Sequence, residues 1–374
     1  MKRTVLVLVL FGLSWLVASS GADAQVAGDA NGDSIVNVGD VVYEVSYLYK
    51  NGPPPVFYEC GDPTADCIIN VGDIVYLVSY LFKNGPDPQI VECGWSEPVN
   101  LGPPINSDRG DYDISFSLDW RRLVLGSDRY GTHGHDDVWF SFRDDTTQPW
   151  PDPVNCGTNI NTVNEDLNPC ISPDGNKIYY AAWNRPGGYG GWDIWVSTWD
   201  SLLSEWSIPE NAGPNVNHYG TDWSPFITHD GGRLYFSSNR YFWGISYCEW
   251  EGTGWGELVW LGWDVNINGT EEDPSATADG STLYFTRWLN DALPHIFVSY
   301  WTGTEWGVPV ELPPHINYPG AGAGRHWITP EGTKLYFASG ARPGGMGYAD
   351  IWVSERIPVL PGRRFINRDR ERQR

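Results

Sequence analysis

The sequence predicts a mainly β protein, in which five similar units follow a small helical module made of two repeats. An acidic turn of the type Ser-Pro-Asp-Gly recurs with a period of about 50 residues. It occurs at Asp119, Asp174, Asp230, Asp279 and Glu331. Further strand-like segments follow each turn, and abundant Gly (43), Pro (28) and Trp (21) favour short strands joined by tight turns. With four strands in each unit, these observations indicate a five-bladed β-propeller.

Residues 1–24 have the pattern of a secretory signal. Two basic residues precede an apolar stretch from Val5 to Val17, and Ala22-Asp23-Ala24 forms a small-residue cleavage site. The stretch is too short for a membrane anchor, and no later segment has the run of about 20 apolar residues that a spanning helix needs. We therefore expect an exported protein, secreted or periplasmic, with no membrane span.

The charge of the chain narrows the choice of partners. The formal net charge is −23, whereas binding to nucleic-acid phosphates requires clustered Lys and Arg. We therefore expect no nucleic-acid partner, and the acidity suits binding of divalent cations. Only the last segment, 358–374, is basic, and it has no core-forming pattern, so we expect it to be disordered.

Two nearly identical segments, which begin at Gly28 and Gly61, place oxygen-bearing side chains at the spacing of a calcium-binding loop. In the first loop, positions 1, 3, 5, 7, 9 and 12 are Asp29, Asn31, Asp33, the Ile35 carbonyl, Asn37 and Asp40. In the second loop they are Asp62, Thr64, Asp66, the Ile68 carbonyl, Asn70 and Asp73. These ligands predict two EF-hand-like Ca²⁺ sites. The second should be weaker, because Thr64 offers a hydroxyl where the first loop has an amide.

An apolar stripe at helical spacing follows each loop, and it predicts one helix after each. The first stripe is Val41, Val42, Val45, Leu48 and Tyr49, and the second is Ile74, Val75, Val78, Leu81 and Phe82. Asn-Gly-Pro, at 51–53 and at 84–86, should end both helices.

The two loop–helix repeats resemble a type I dockerin over residues 28–88. The resemblance implies a calcium-folded module, here 25–88, that binds a cohesin-type module on a scaffold protein. The family's partner-facing positions are Val38-Gly39 and Val71-Gly72 in this chain, where the family often has Ser or Thr. The alternative is a calcium-folded spacer with no cohesin partner. Residues 89–94 would link this module to the propeller.

Three strand patterns recur after the acidic turns in the propeller, residues 95–357. A segment of the Arg-Leu-Tyr-Phe type comes first, one of the Asp-Ile-Trp-Val type follows, and a Trp-led strand completes most units. One Trp-led strand, 95–102, precedes the first turn, whereas the fifth unit lacks such a strand. We expect 95–102 to close the ring as the outer strand of the last blade, because an open ring would expose a strand edge. The repeats resemble those of TolB-type periplasmic propellers, which implies a fold but not a function.

Polar residues at the start of each inner strand are the candidate binding groups of the propeller. Eight residues before the acidic turn position stand Asp111, Asp166, Asp222, Glu271 and Ala323. Six residues before it stand Asp113, Asn168, Ser224, Asp273 and Arg325. Such a ring could bind a cation or a sugar at the channel mouth, with Asp111, Asp166 and Arg325 as ligand candidates. The alternative is structural, because acids at strand entries accept hydrogen bonds from local backbone N–H groups.

Two functions are open for this chain. The first is a tethered binding protein, whose propeller recognises a protein or a polysaccharide during extracellular polysaccharide breakdown. The second is a tethered glycoside hydrolase or lyase, with Asp113, Asp222 and Glu271 as candidate acids. Hydrolysis needs two carboxyl groups with different roles, and near-symmetric repeats argue against such a division. The sequence therefore favours the binding protein.

Six cysteines follow the predicted signal, and export permits disulfides. We expect one bond between Cys156 and Cys170, which flank one connection. A second is expected between two of the clustered residues Cys60, Cys67 and Cys93.

Overall fold

A computed structural model of the chain describes residues 26–50, 52, 55, 58–67, 69–89, 93–267 and 269–358. The predicted signal, the predicted ligand carbonyl of Ile68 and the basic segment from 359 onward lie outside these residues. No helix within the described ranges is long and apolar enough to cross a membrane.

Both helices predicted after the loops are present. α1 spans Val38–Lys50 and α2 spans Val71–Lys83. α2 begins directly after Asn70 because that side chain caps it, with Asn70 Oδ1 accepting the Gly72 N–H at 2.7 Å. It ends at Asn84, whose φ of 54° lies in the left-handed region.

Besides a 3₁₀ helix at Tyr58–Gly61, the remaining elements are short strands and one short α-helix. In chain order they are β1 (Cys93–Trp95), β2 (Val99–Asn100), β3 (Asp111–Phe116), β4 (Arg122–Ser127), β5 (Asp137–Phe142), β6 (Val154–Asn155), β7 (Asp166–Ile171), β8 (Lys177–Trp183), β9 (Trp192–Asp200), β10 (Glu205–Trp206), β11 (Glu210–Asn211), β12 (Asp222–Ile227), β13 (Arg233–Ser238), β14 (Gly244–Glu249), β15 (Val259–Trp260), α3 (Gly262–Val265), β16 (Glu271–Ala276), β17 (Thr282–Trp288), β18 (Pro294–Tyr300), β19 (Val310–Glu311), β20 (Gly324–Ile328), β21 (Lys334–Ser339) and β22 (Asp350–Pro358).

These strands form five sheets, and the fold is mainly β with a five-bladed propeller. Blades 1, 3 and 4 are β3–β6, β12–β15 and β16–β19, and blade 2 is β7–β9 with the two short outer strands β10 and β11. The inner strands β3, β7, β12, β16 and β20 contact one another in a closed ring. We call the end of the ring where the inner strands begin the entry face, and the end that carries the acidic turns the turn face.

The first strands of the propeller close the ring on the last blade. β1 and β2 both pair with β22, with Trp95 opposite Arg356 and Val99 opposite Val353. Blade 5 therefore combines β20, β21 and β22 with an outer strand from the front of the chain. This is the closure that the displaced Trp-led strand predicts.

A hydroxyl group holds each recurrent acidic turn. In blade 2, Ser172 Oγ donates to Asp174 Oδ1 at 2.5 Å and accepts the N–H of Lys177 at 2.9 Å, while Gly175 adopts a φ of 73°. The same bond joins Ser117 to Asp119, Thr228 to Asp230 and Thr277 to Asp279. The hydroxyl ties the turn to the first residue of the next strand, which explains why Ser or Thr stands two residues before the acid.

A recurrent asparagine, which we did not predict, joins successive blades. Asn161 Oδ1 accepts the Val138 N–H at 2.8 Å, and its Nδ2 donates to the Val138 carbonyl at 2.9 Å. The equivalent pairs are Asn106 with Ile351, Asn217 with Ile194, Asn266 with Ile245 and Asn317 with Ile296. Each amide thus anchors the loop that enters one blade to the third strand of the blade before it.

Two contacts fix the helical module to the turn face. Cys67 of the second loop forms a disulfide with Cys93 of β1, which confirms that two of the three clustered cysteines pair. The Tyr47 hydroxyl of α1 donates to the carboxylate of Asp279, in the acidic turn of blade 4. The entry face lies at the other end of the blades from these contacts.

The predicted bond between Cys156 and Cys170 is wrong, because neither residue is in a disulfide. Cys156 packs with Ile160 and Trp206 between blades 1 and 2. Cys170 lies on an inner strand, where its Sγ is 3.7 Å from Ser115 Oγ. The two cysteines flank one connection in the sequence but face different layers of the propeller.

Candidate functional site

Five polar residues, one from each blade, line a small cavity of about 30 Å³ on the propeller axis. They are Asp113, Asn168, Ser224, Asp273 and Arg325. The cavity lies near the entry face, since each of these residues is close to the start of its inner strand.

A bulge in four inner strands turns these side chains toward the axis. The φ angles of Asn168, Ser224, Asp273 and Arg325 are 51°, 50°, 51° and 46°. The pairing register of each strand shifts at the same point. Residues other than Gly adopt this left-handed backbone conformation only at an energetic cost. Residues in such conformations are often found at functional sites. The bulges therefore make the ring a candidate site.

Hydrogen bonds and one ion pair connect the five residues. Asn168 Nδ2 donates to Asp113 Oδ1 at 3.0 Å, and Arg325 Nη1 lies 3.6 Å from Asp113 Oδ2. Asp273 accepts the Arg325 backbone N–H at 3.1 Å and the Ser224 hydroxyl at 2.7 Å. Asp113 Oδ2, Asn168 Oδ1 and Arg325 Nη1 have no hydrogen-bond partner among the described residues. Because buried polar atoms are normally paired, these three are the groups that a ligand in the channel would meet.

Burial sets the protonation of this ring. Burial raises the pKa of Asp113 to about 6, against the opposing effect of the Arg325 guanidinium. Burial alone would lower the pKa of Arg325, but the carboxylates of Asp113, Asp273 and Asp136 raise it. Arg325 therefore stays charged, and Asp113 titrates close to neutral pH.

Asp113→Asn should stabilise the propeller by about 2 kcal/mol at pH 7.5. Because the folded pKa of about 6 exceeds the ordinary value of 3.8, the charge penalty is absent below pH 3.8 and complete above pH 6. Urea unfolding followed by tryptophan fluorescence should show the gain at pH 7.5 and no gain at pH 3.5. Equal stability of the two proteins at pH 7.5 would show that the ionised Asp113 carboxylate does not destabilise the folded propeller.

The other acids predicted from the sequence do not line this cavity. Asp111, Asp166, Asp222 and Glu271 are fully buried. Each accepts the backbone N–H of the residue four positions earlier, from Ser107, Thr162, His218 and Ile267, at 2.6, 2.6, 2.7 and 3.2 Å. This is the arrangement of the structural alternative, in which the acid holds the loop before its strand. Of the ligand and catalytic candidates, the structure brings together Asp113 and Arg325.

A row of tryptophans on blades 2 and 3 lies at the entry face, and we did not predict it as a unit. Ring centroids are 5.4 Å apart for Trp183 and Trp192, 6.0 Å for Trp192 and Trp223, and 5.9 Å for Trp223 and Trp243. Trp183 is 42% exposed. One side of its ring rests on Gly191, where an added Cβ would lie 2.7 Å from Trp183 Cζ3. We call these four residues the tryptophan row.

The tryptophan row breaks the symmetry of the repeats. Four residues occupy equivalent rim positions: Asp128, Trp183, Asn239 and Trp288. The backbone N–H of each donates to the carbonyl oxygen of the residue that precedes an inner-strand acid. Only two of these four positions hold Trp. The sequence signal was a Trp at the position that Asp128 and Asn239 occupy in blades 1 and 3.

Acidic groups flank the tryptophans at the rim. Trp288 Nε1 donates to Glu272 Oε2 at 3.2 Å. Burial, followed by the charge of Asp273, raises the pKa of Glu272 to about 8. Burial also raises the pKa of Asp136, although Arg325 opposes this shift. The rim thus combines aromatic faces with carboxyl groups whose pKa values are raised by burial.

The two loops of the helical module fold alike. Position 1 accepts the N–H of position 5 in both, from Asp33 to Asp29 at 3.0 Å and from Asp66 to Asp62 at 3.2 Å. Position 12 accepts the N–H of position 3 in both, at 3.2 Å for Asp40 and 3.3 Å for Asp73. Positions 1 and 12 of each loop are buried. In the second loop, the Thr64 hydroxyl donates to Asp62 at 3.1 Å and to Asp73 at 2.8 Å.

The electrostatics of these loops fit a divalent cation. Burial raises the pKa of Asp40 and of Asp73, and it raises that of Asp62 to about 6. Glu44 is fully buried in α1, and neither of its carboxylate oxygens has a hydrogen-bond partner among the described residues. Burial, with the charges of Asp73, Asp40 and Asp62, raises the pKa of Glu44 to about 9. Buried carboxylates without compensation are costly, and a bound cation would remove that cost.

The two helices expose matching apolar side chains. On α1 these are Val38, Val42 and Tyr49, and on α2 they are Val71, Val75 and Phe82, each at least half exposed. Members of the two sets occupy the same positions in the two repeats. The module therefore presents two copies of one apolar surface, a pattern associated with protein interfaces.

No family model matches the chain, and a comparison with curated proteins found no match. TolB from Acinetobacter baumannii is 13% identical with a TM-score of 0.40, and the match covers 67% of this chain and 55% of that chain, so this chain spans little more than half of that protein. A putative TolB from Agrobacterium tumefaciens is 15% identical with a TM-score of 0.41, over 72% and 100% of the two chains. The catalytic domain of Coprinopsis cinerea GH62 alpha-L-arabinofuranosidase is 11% identical with a TM-score of 0.45, over 71% and 97%. Likeness at this level carries no argument about activity.

Proposed function

We propose that this chain is an exported, calcium-dependent, tethered propeller that binds a polysaccharide at its entry face. The tryptophan row beside the polar channel ring is the observation that carries this proposal. A sugar ring has an apolar C–H face, which is attracted to the negative face of an aromatic ring. Its hydroxyl groups need both donors and acceptors. Arg325 Nη1, Asn168 Oδ1 and Asp113 Oδ2 offer these on the axis.

The charge of the entry face favours a neutral polysaccharide. Arg325 already faces Asp113 and Asp273, so its charge is balanced before any ligand arrives. The chain as a whole has a net charge of −23. A polymer rich in carboxylates or sulfates would be repelled by this field.

The helical module is proposed as the tether. Two Ca²⁺ ions would be held by Asp29, Asn31, Asp33, the Ile35 carbonyl, Asn37 and Asp40, and by Asp62, Thr64, Asp66, the Ile68 carbonyl, Asn70 and Asp73. Bound calcium would neutralise the buried carboxylates and so hold the loops and helices together. The duplicated apolar surface of α1 and α2 supports docking to a cohesin-type scaffold protein. Because the module is attached at the turn face, docking would leave the entry face open.

Trp183→Ala should weaken polysaccharide binding about tenfold, the loss expected for one aromatic stacking contact. Affinity electrophoresis of the mature chain in gels containing hydroxyethyl cellulose, xylan, glucomannan or linear arabinan measures this effect. Tyr300→Ala is the control, because Tyr300 is 43% exposed but lies at the turn face of blade 4. The proposal fails if none of the four polymers retards the wild type, or if Trp183→Ala is retarded as strongly as the wild type.

A second candidate function, glycoside hydrolysis, is favoured by one observation. The pKa of Asp113 is raised to about 6 and that of Glu272 to about 8, and both residues lie within electrostatic reach of Arg325. Carboxyl groups with separated pKa values are what acid–base hydrolysis uses. Release of reducing ends from the polymers above, abolished by Asp113→Asn, would establish this activity. If no reducing ends are released after prolonged incubation, hydrolysis is ruled out for these polymers and binding is the function.

A further inference from the structure

A second cavity, of about 350 Å³, lies between blades 2 and 3 at the turn face. It is separate from the axial cavity, because it is lined by the acidic turns rather than by the strand entries. Its walls include Asp174, Lys177, Tyr179, Asp230, Trp250 and Trp255. Its size falls within the range of small-molecule sites.

The side chain that begins the second strand fills the gap between some blades and not others. Between blades 1 and 2, Arg122 fills the equivalent gap, where its Nη1 donates to the Gly175 carbonyl at 2.7 Å. A Cβ on Gly175 would lie 2.9 Å from Arg122 Cδ. In blade 2 the residue that opens the second strand is Lys177, whose side chain forms no hydrogen bond or salt bridge with a described residue. Gly231, which matches Gly175 in the next turn, has nothing within 4 Å of a built Cβ, and the same holds for Gly280 next to Arg233, which pairs with Glu249 instead.

Aromatic rings form one wall of the cavity. Trp250 is 45% exposed, and its ring centroid lies 5.1 Å from that of Trp255 in an edge-to-face contact. Trp255 in turn contacts Tyr179 at 6.3 Å. The edge-to-face contact holds the Trp250 ring in place while leaving nearly half of it exposed to a ligand.

Charges of both signs form the other wall. Burial alone would raise the pKa of Asp174, but hydrogen bonds from Ser172 and Asn176 lower it. The pKa of Asp230 is lowered in the same way, by Thr228 and the Gly232 N–H against the effect of burial. Both groups are therefore carboxylate acceptors at neutral pH, and Lys177 provides a donor beside them.

This combination selects one class of ligand. Two carboxylates disfavour an anion, and Lys177 disfavours a cation. A wholly apolar ligand would cover charged groups without pairing them, which is unfavourable. A neutral sugar unit satisfies the whole set, because its C–H face can stack on Trp250 while its hydroxyls bond to Asp174, Asp230 and Lys177. We propose that this cavity is a second carbohydrate site, which binds a neutral sugar unit independently of the entry face.

Saturation-transfer NMR with cellohexaose, xylohexaose, mannohexaose and arabinohexaose tests the second site. The mature chain carrying Trp183→Ala serves as the parent, so that the entry face contributes little. Adding Lys177→Arg should close the cavity as Arg122 closes its equivalent, and adding Trp250→Ala should remove the stacking surface. Either change should weaken the binding of at least one hexasaccharide about tenfold. Lys334→Arg is the matched control, because Lys334 opens the second strand of blade 5 and already pairs with Glu355 at 2.7 Å.

The outcomes separate the two carbohydrate proposals. Loss of saturation transfer with Lys177→Arg and Trp250→Ala, but not with Lys334→Arg, supports the second site. Transfer that is absent from the parent for all four sugars, or that is unchanged by Lys177→Arg and Trp250→Ala, overturns it. The entry-face proposal is judged separately, by whether Trp183→Ala itself weakens binding relative to the wild type.

Discussion

Chelation of calcium should unfold the helical module and leave the propeller intact. Without a cation, the buried carboxylates of both loops repel one another and have lost their hydration, and Glu44 is buried beside them with a pKa raised to about 9. The helices that follow the loops, 13 residues each, should therefore lose most of their helicity. Ordering the loops and forming the helices are one event when a metal site does not exist in the unfolded chain.

Two spectroscopic signals follow the two parts of the chain separately. After the predicted signal, every tryptophan lies at or beyond Trp95, so tryptophan fluorescence reports on the propeller alone. Far-UV circular dichroism in the helical region reports on α1 and α2. Adding EGTA to the mature chain should reduce helicity and leave fluorescence unchanged, and excess calcium, but not magnesium, should restore helicity. Helicity that is the same in calcium and in EGTA would refute the two calcium sites.

Glu44→Leu should stabilise the calcium-free module by about 3 kcal/mol at pH 8. Glu44 stands on the buried face of α1 at the position that Leu77 occupies in α2, and both residues are 0% exposed. The substitution therefore replaces a carboxyl group that has no hydrogen-bond partner among the described residues with the side chain that the second repeat already packs. In EGTA, the variant should keep helicity that the wild type loses.

The pH dependence identifies the cause of this gain. Because the pKa of Glu44 in the folded chain is about 9 and its ordinary value is 4.5, the charge penalty is absent below pH 4.5 and grows as the pH rises toward 9. The difference between Glu44→Leu and the wild type should thus be smallest near pH 4.5 and largest near pH 9. Glu44→Gln cannot ionise but leaves a buried amide without a partner. Its stability should therefore lie between that of the wild type and that of Glu44→Leu. A gain of the same size at pH 4.5 and at pH 8 would show that packing, not charge, is responsible.

The strands and the ring closure could be predicted because their signals are local. The hydroxyl–acid turns have a fixed spacing, and a Trp-led strand before the first turn has no partner except at the end of the chain. The two helices could also be predicted, since their apolar stripes repeat at helical spacing. Glu44 lies within the first stripe, and only burial in the folded module shows that it is a charged residue in a core position.

The candidate site was harder to predict because it depends on the path of the backbone. Alternation alone places Asp111 and Asp113 on the same face of β3, yet the first holds a loop and the second faces the channel. The bulges at Asn168 and Ser224 reorient side chains without any glycine to mark them. The tryptophan row joins residues from two blades, and no sequence spacing brings Trp183 close to Trp243. Cys156 and Cys170 show the converse, since they are near in sequence but face different layers.

Hydrogen exchange of the mature chain, with and without a polysaccharide that retards it in gels, tests the central claim most directly. A ligand that stacks on the tryptophan row and reaches the channel ring should slow amide exchange in 183–192, 219–224 and 239–244. These segments carry Trp183, Trp192, Trp223 and Trp243 or lie beside them. Slower exchange there, with no change in α1 and α2, is the result that we expect. Protection confined to the turn face, or absent from all three segments, would contradict an entry-face polysaccharide site.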